Sequence, residues 1–221
     1  MGSLNMREFE GNHFLHNEEN YTKYFEIKPG HIVMDVGAQI GYFSCLFSQL
    51  VGPTGRVISF DPDSRTIPYF NSNIQKYALN NITFFQKGVW DKKTILKLYP
   101  HPNLGSSSVV PEQILASSLV YPMQPVEVEL NTIDYFVEEL KLPTVDFIKM
   151  DIEASEIRAL RGAHQTLTNI KPALAIAAYH MNPDTGKETS STIDQILKQE
   201  YGYKTYVEPG GDGTIVYAVK P

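Results

Sequence analysis

The chain has one cysteine, Cys45, among 221 residues. A single thiol excludes an internal disulfide and any zinc site built from several cysteines. Cys45 sits in the apolar stretch Tyr42-Phe-Ser-Cys-Leu-Phe47 and reads as a small buried core residue. Excess positive charge is also lacking. Nineteen Lys and Arg against 25 Asp and Glu give a formal charge of -6, which leaves no electrostatic footprint for nucleic acid or an anionic membrane. No apolar run is long enough to span a bilayer, and no charged-then-apolar leader opens the chain. Together these absences point to a soluble, cytoplasmic protein. A Walker-type G-K-[ST] is missing too, so ATP as a phosphoryl donor finds no support.

What is present is an alternation of strands and helices. Ile32-Val-Met-Asp-Val36 is a short apolar run ending in Asp and Gly, the pattern of a strand buried on both faces. A glycine loop, a helix over residues 42–50 stopped by Gly52-Pro53, and the strand Arg56-Val-Ile-Ser-Phe60 follow. Ile67, Phe70, Ile74 and Tyr77 recur at helical spacing before the strand Ile82-Thr-Phe-Phe85. The alternation resumes with a strand at Val145-Asp-Phe-Ile-Lys-Met150, a helix over 153–169, the strand Ala173-Leu-Ala-Ile-Ala-Ala178 and a helix over 192–201. Two final strands, 203–208 and 214–219, flank Pro209-Gly-Gly-Asp-Gly213 as a hairpin. This predicts an α/β fold with a mostly parallel sheet and helices on both faces. Residues 1–28 read as a helical arm or lid, and 29–221 as one domain. Within it, residues 99–129 are an irregular insertion, rich in Pro and Ser, before the strand Val126-Glu-Val-Glu129 and a helix from Thr132.

Ligands of open parallel sheets bind at the carboxyl ends of the strands, where the strand order reverses. After the first strand comes Asp35-Val-Gly-Ala-Gln-Ile-Gly41, whose Gly37 and Gly41 permit a tight turn behind a helix N-terminus. After the second comes Asp61, a carboxylate able to accept both hydroxyls of a ribose. The pair describes a nucleoside half-site. The spacing is D-x-G-x-x-x-G, with Gln39 where a dinucleotide fingerprint has its central glycine. An acidic residue before the loop would repel phosphate but suits the ammonium and sulfonium of S-adenosyl-L-methionine.

The chain resembles the FkbM-type methyltransferases over residues 28–180. The resemblance rests on Val33-Met-Asp-Val-Gly-Ala-Gln-Ile-Gly-Tyr42, Phe60-Asp-Pro62, Lys87-Gly-Val-Trp-Asp91, Thr132-Ile-Asp-Tyr-Phe136 and, most specifically, Val145-Asp-Phe-Ile-Lys-Met-Asp-Ile-Glu-Ala-Ser-Glu156. It implies a Rossmann-like class I methyltransferase fold, a seven-stranded sheet with a C-terminal antiparallel hairpin. It also implies methyl transfer from S-adenosyl-L-methionine to a hydroxyl of a sugar or small natural product. The cofactor contacts expected are Asp35, Gly37, Ala38, Gln39, Gly41, Tyr42, Asp61, Pro62, Gly88, Val89 and Asp151. Two positions depart from the family: Ala154 replaces its usual Gly, and Ala178-Tyr-His180 stands where Glu-x-His is common.

Methyl transfer to a hydroxyl needs alignment and a proton acceptor. The candidates are Asp151, Glu153 and His180, all at strand ends; Asp151 could instead face the cofactor's ammonium, and His180 could be structural. Lys149 lies two residues before Asp151 on the same strand face and is expected to pair with Asp151 or Glu153. The spacing of Asp151, Glu153 and His180 is not diagnostic of a hard-metal site, so no metal is expected. Gly105-Ser-Ser-Ser108 could contact cofactor or acceptor, and Trp90, Phe14, Tyr21, Tyr24 and Phe25 could form a lid or plain core. The competing readings are an N-methyltransferase, an NAD-dependent oxidoreductase and a non-catalytic nucleoside-binding module.

Overall fold

The computed structural model describes residues 8–10, 21–113, 123–182, 185–210 and 213–221. In chain order the elements are Ile32–Val36 (β1), Tyr42–Val51 (α1), Arg56–Phe60 (β2), Ile67–Lys76 (α2), Ile82–Phe85 (β3), Gly88–Val89 (β4), Thr94–Leu98 (β5), Val126–Asn131 (β6), Ile133–Glu139 (α3), Phe147–Met150 (β7), Glu156–Arg161 (α4), Ala173–Ala177 (β8), Met181–Asn182 (β9), Lys187–Glu188 (β10), Ser190–Gln199 (α5), Lys204–Pro209 (β11) and Thr214–Val219 (β12).

Seven strands form the main sheet in the order β11-β12-β8-β7-β1-β2-β3. The five from β3 to β8 run parallel, and the C-terminal hairpin enters antiparallel, with β12 between β8 and β11. This is the class I methyltransferase arrangement that the sequence implied. Every residue of β1 is buried, because helices cover both faces. Alternation divides the strands between two layers. Met34, Val36, Ile148 and Met150 pack under Phe136, Leu160, Ile193 and Leu197 from α3, α4 and α5. Val33 and Phe147 pack against Phe47 and Val51 of α1. Each such side chain removed from water contributes about 1.5–3 kcal/mol.

Three local features differ from the sequence pattern. The single helix expected over 153–169 is broken. Glu153 and Ala154 take φ of 52° and 74°, outside the helical region, so α4 begins only at Glu156; a separate π-type turn, Thr166–Ile170, follows Gly162. Gly162 lies against Trp90, whose carbonyl oxygen would be 2.0 Å from any Cβ placed there. Second, the strand expected at 126–129 joins two strands that the sequence pattern did not show. β6 pairs antiparallel with β5 and parallel with β4 in a small second sheet, and Tyr99 bridges to Ser108. Residues 114–122 lie outside the described residues.

Third, of the N-terminal arm only residues 8–10 and 21–28 are described, and 21–24 form a turn, not a helix. Tyr24 stacks on Tyr206 and Phe25 on Phe147, which makes both of them packing residues; Phe14 lies outside the described residues. Among the described residues no helix is long and apolar enough to cross a membrane.

Candidate active site

Strand order reverses at β1, which has β2 on one side and β7 on the other. A cleft opens at the carboxyl ends of these strands, as this topology dictates. Its floor is the loop after β1: Gly37, Ala38 and Gln39 line it, and Tyr42 and Phe43 of α1 flank it. The loop is pinned by two bonds, from Gly37 N–H and Ala38 N–H to the Phe60 carbonyl at the end of β2. Gly37 has φ of 86°, and Gln39 takes the left-handed region at 49°.

Asp61, at the end of β2, closes one side of the cleft. Its Oδ2 accepts the Gln39 N–H at 2.8 Å and its Oδ1 the Asp63 N–H at 2.9 Å. Each carboxylate oxygen keeps acceptor capacity beyond that single bond. Burial pushes the Asp61 carboxyl up to about 7, against the opposing effect of these backbone bonds. Beside it, Asp63 holds the roof. Arg65 Nε donates to Asp63 at 2.9 Å, Ser107 Oγ donates to Asp63 at 2.8 Å, and Arg65 also reaches the His101 carbonyl. This clamp sets Leu104, Gly105 and Ser107 over the cleft. Ser108 Oγ donates to the Glu153 carbonyl at 2.6 Å, tying the same loop to the far wall.

Lys149 does not pair as its sequence neighbours suggested. It turns across to β1, where register sets it beside Asp35. Lys149 Nζ lies 3.4 Å from Asp35 Oδ1 and donates to the Gly37 carbonyl at 2.8 Å. The rings of Tyr21 and Phe43 lie 5.4 and 5.3 Å from the ammonium, within cation–π range. Ser44 Oγ donates to the other Asp35 oxygen. Burial raises the Asp35 carboxyl above its ordinary range, and Lys149 and Ser44 pull it back. Asp35 is fully buried and does not line the cleft; it fixes the lysine that fixes the loop.

The third wall is the turn after β7. Asp151, Ile152 and Glu153 line the cleft, and Tyr21 O–H donates to Asp151 Oδ2 at 3.3 Å. Asp151 Oδ1 is a buried oxygen with no hydrogen-bond partner. Behind these carboxylates lies His180, buried and off the cleft surface. Its Nε2 is 3.5 Å from Glu153 and 3.7 Å from Asp151, and its Nδ1 is 3.0 Å from Glu156 Oε1. Burial works against the charged ring, but Glu156 and Glu153 outweigh it and hold its proton well above the ordinary histidine range. Burial likewise raises the Glu153 carboxyl, opposed by His180. A protonated ring meets a carboxylate at each of its two nitrogens.

Residues 35–205 match the methyltransferase FkbM domain, more than half of the chain. The chain belongs to the FkbM methyltransferase family. Relatives include Methyltransferase 1 of Beauveria bassiana, 23% identical over 67% of this chain and 66% of that protein. Another is the 2-O-methyltransferase NoeI of Sinorhizobium fredii, 24% identical over 65% of this chain and 62% of that protein. The chain thus spans slightly less than two thirds of the length of these two relatives. A solved FkbM methyltransferase from Methylobacillus flagellatus superposes with a TM-score of 0.63 at 22% identity, covering 95% of this chain and 50% of that one.

Within this FkbM domain, the cleft gathers most of the residues that the motifs singled out: Gly37, Ala38, Gln39, Tyr42, Asp61, Pro62, Gly88, Val89, Lys149, Asp151 and Glu153. Asp35, Gly41 and His180 stand behind its surface. Gly41 packs on Phe70, whose ring carbon would be 2.8 Å from a Cβ. Ala154, where the family has glycine, carries φ of 74°. Ala178 brings no carboxylate to His180, and Asp151, Glu153 and Glu156 supply three from the other side. Sequence reasoning missed Glu156, although it ends the most specific motif. It also missed Asp63, Arg65 and Tyr179, which reach the site only through tertiary packing.

Proposed function

We propose that this FkbM domain transfers a methyl group from S-adenosyl-L-methionine to a hydroxyl of a sugar or small natural product. The observation that carries the reading is the placement of three carboxylates at one cleft: Asp61 beside the glycine loop, and Asp151 and Glu153 opposite. The 2-O-methyltransferase among the relatives supports the oxygen acceptor.

The residues present fit the cofactor. Asp61 has acceptor capacity left for a ribose diol, and Asp151, a carboxylate that lines the cleft, suits an ammonium. When bound, the cofactor supplies a methyl carbon activated by its sulfonium, with a neutral thioether as leaving group. Gly37 to Gln39 hold the backbone close, and Tyr21 braces Asp151. Glu153 takes the acceptor's hydroxyl proton as the oxygen attacks. Its burial raises its basicity toward neutral pH, where a general base works best. The roof clamped by Arg65 keeps bulk water from the reacting atoms.

Calorimetry with S-adenosylmethionine, S-adenosylhomocysteine and NAD tests the cofactor, with Asp61→Ala as control. The sulfur nucleosides bind, the variant loses them, and NAD does not compete. A panel of hydroxyl and amine acceptors, read by release of S-adenosylhomocysteine, tests the acceptor. Turnover confined to amines would sink the oxygen reading, and binding of NAD alone would sink both.

A further inference from the structure

The four groups at the β7 end of the cleft form a graded line from core to solvent. Side-chain exposure is nil for Glu156, 1% for His180, 16% for Glu153 and 27% for Asp151. Only the last two line the cleft, and the imidazole lies behind them. Three carboxylates converging without a counter-charge would repel one another strongly in a medium of low dielectric. The ring between them is the group that can supply that charge.

We infer that Glu156 is a positioning residue of this site: buried behind His180, it keeps the imidazole protonated and faced toward Asp151 and Glu153, so that Glu153 is held ready for the acceptor's proton. The inference rests on the methyl-transfer reading above for its catalytic meaning, though not for its geometry. Glu156 itself is anchored, since its Oε1 accepts the Ile152 N–H at 3.0 Å. That bond fixes the carboxylate against the same turn that carries Asp151 and Glu153. A carboxylate behind a histidine sets both the ring's orientation and its charge, and the arrangement here adds acidic groups on the far side. Among the described residues, the charged groups facing the ring are Asp151 and Glu153 from the turn after β7 and Glu156 from α4. The Tyr179 ring lies 4.4 Å from it, and the Thr189 N–H bonds the His180 carbonyl from the start of α5. No lysine or arginine is among its ion-pair partners there.

The ring can be read directly by NMR on protein labelled with 15N-histidine, with His180→Gln identifying its resonances. In the wild type the His180 nitrogens stay protonated well above the ordinary histidine range. In Glu156→Gln, which keeps size and shape, the ring loses its proton at least about one pH unit lower. Glu156→Asp, with the charge one methylene further back, gives an intermediate value and serves alone if the glutamine variant does not fold. A merely structural Glu156 would change melting temperature and leave this titration where it is, and that result would overturn the inference. So would displacement of the His180 proton by added Mg²⁺ or Mn²⁺, which would make the cluster a cation site. Binding of S-adenosylhomocysteine to the wild type is followed in parallel by calorimetry. Its absence in the wild type would remove the methyltransferase reading without touching the titration result.

Discussion

Gly37 meets the carbonyl oxygen of Asp151 so closely that a Cβ on the glycine would lie 1.8 Å from it. The loop after β1 and the turn after β7 therefore touch backbone to backbone, and both line the cleft. With φ of 86°, Gly37 is also in a conformation that L side chains rarely adopt. Gly37→Ala is expected to lose more than about 3 kcal/mol, from backbone displacement plus left-handed strain. Urea denaturation measures this, and calorimetry should find S-adenosylhomocysteine binding lost. A variant that keeps wild-type stability and affinity would show that the loop can move away from Asp151 at no cost.

The pH dependence of cofactor binding follows from Asp61. Burial raises its carboxyl to about 7 in the ligand-free protein, while ribose hydroxyls donate to the ionised form. Affinity for S-adenosylhomocysteine should be level above about pH 8 and fall roughly tenfold per unit below 7. The sign for folding is the opposite. A carboxyl raised in the native state favours its neutral form, so the free protein loses stability as pH rises from about 4 through 7. Calorimetry across pH, with Asp61→Asn as the variant that removes both trends, checks the two together.

The buried pair under the loop predicts a non-additive double mutant. Lys149→Met leaves the Asp35 carboxylate buried without its counter-charge, and should cost about 3–5 kcal/mol. Asp35→Asn combined with Lys149→Met removes the stranded charge and should recover part of that loss. A single Lys149→Met variant within about 1 kcal/mol of the wild type in denaturant would mean that the pair contributes nothing.

Ala154 offers a stabilisation test. At φ of 74° its Cβ crowds the following carbonyl, a strain of about 1–2 kcal/mol that glycine lacks. Loss of the buried methyl group and the freer unfolded chain take back part of the gain. Ala154→Gly should therefore match or exceed the wild type by up to about 1 kcal/mol, while Ala154→Val, branched at a left-handed position, should lose stability. Thermal unfolding of the two variants ranks them, and the reverse order would contradict the strain.

The strand and helix pattern was legible because it is local. Apolar runs such as Ile32–Val36 and helical spacing in Ile67–Lys76 reflect burial of one element at a time. The helix start at Glu156 was not legible. Nothing in the residues at 153 and 154 shows that contacts made elsewhere hold both in the left-handed region. The cleft residues near motifs were found and Tyr21 was among the lid candidates, whereas Asp63 and Tyr179 carry no local mark of their position.

By itself, then, the sequence determined the order of the seven main-sheet strands, the glycine loop, the strand-end carboxylates and the family. Only the tertiary structure decided partners. It sent Lys149 across to Asp35 instead of along its own strand, because parallel register places those two residues side by side. It also set Glu156 behind His180, because the turn at Glu153 and Ala154 redirects α4 toward the end of β8. Register and packing act between segments distant in the chain, and local composition does not encode them.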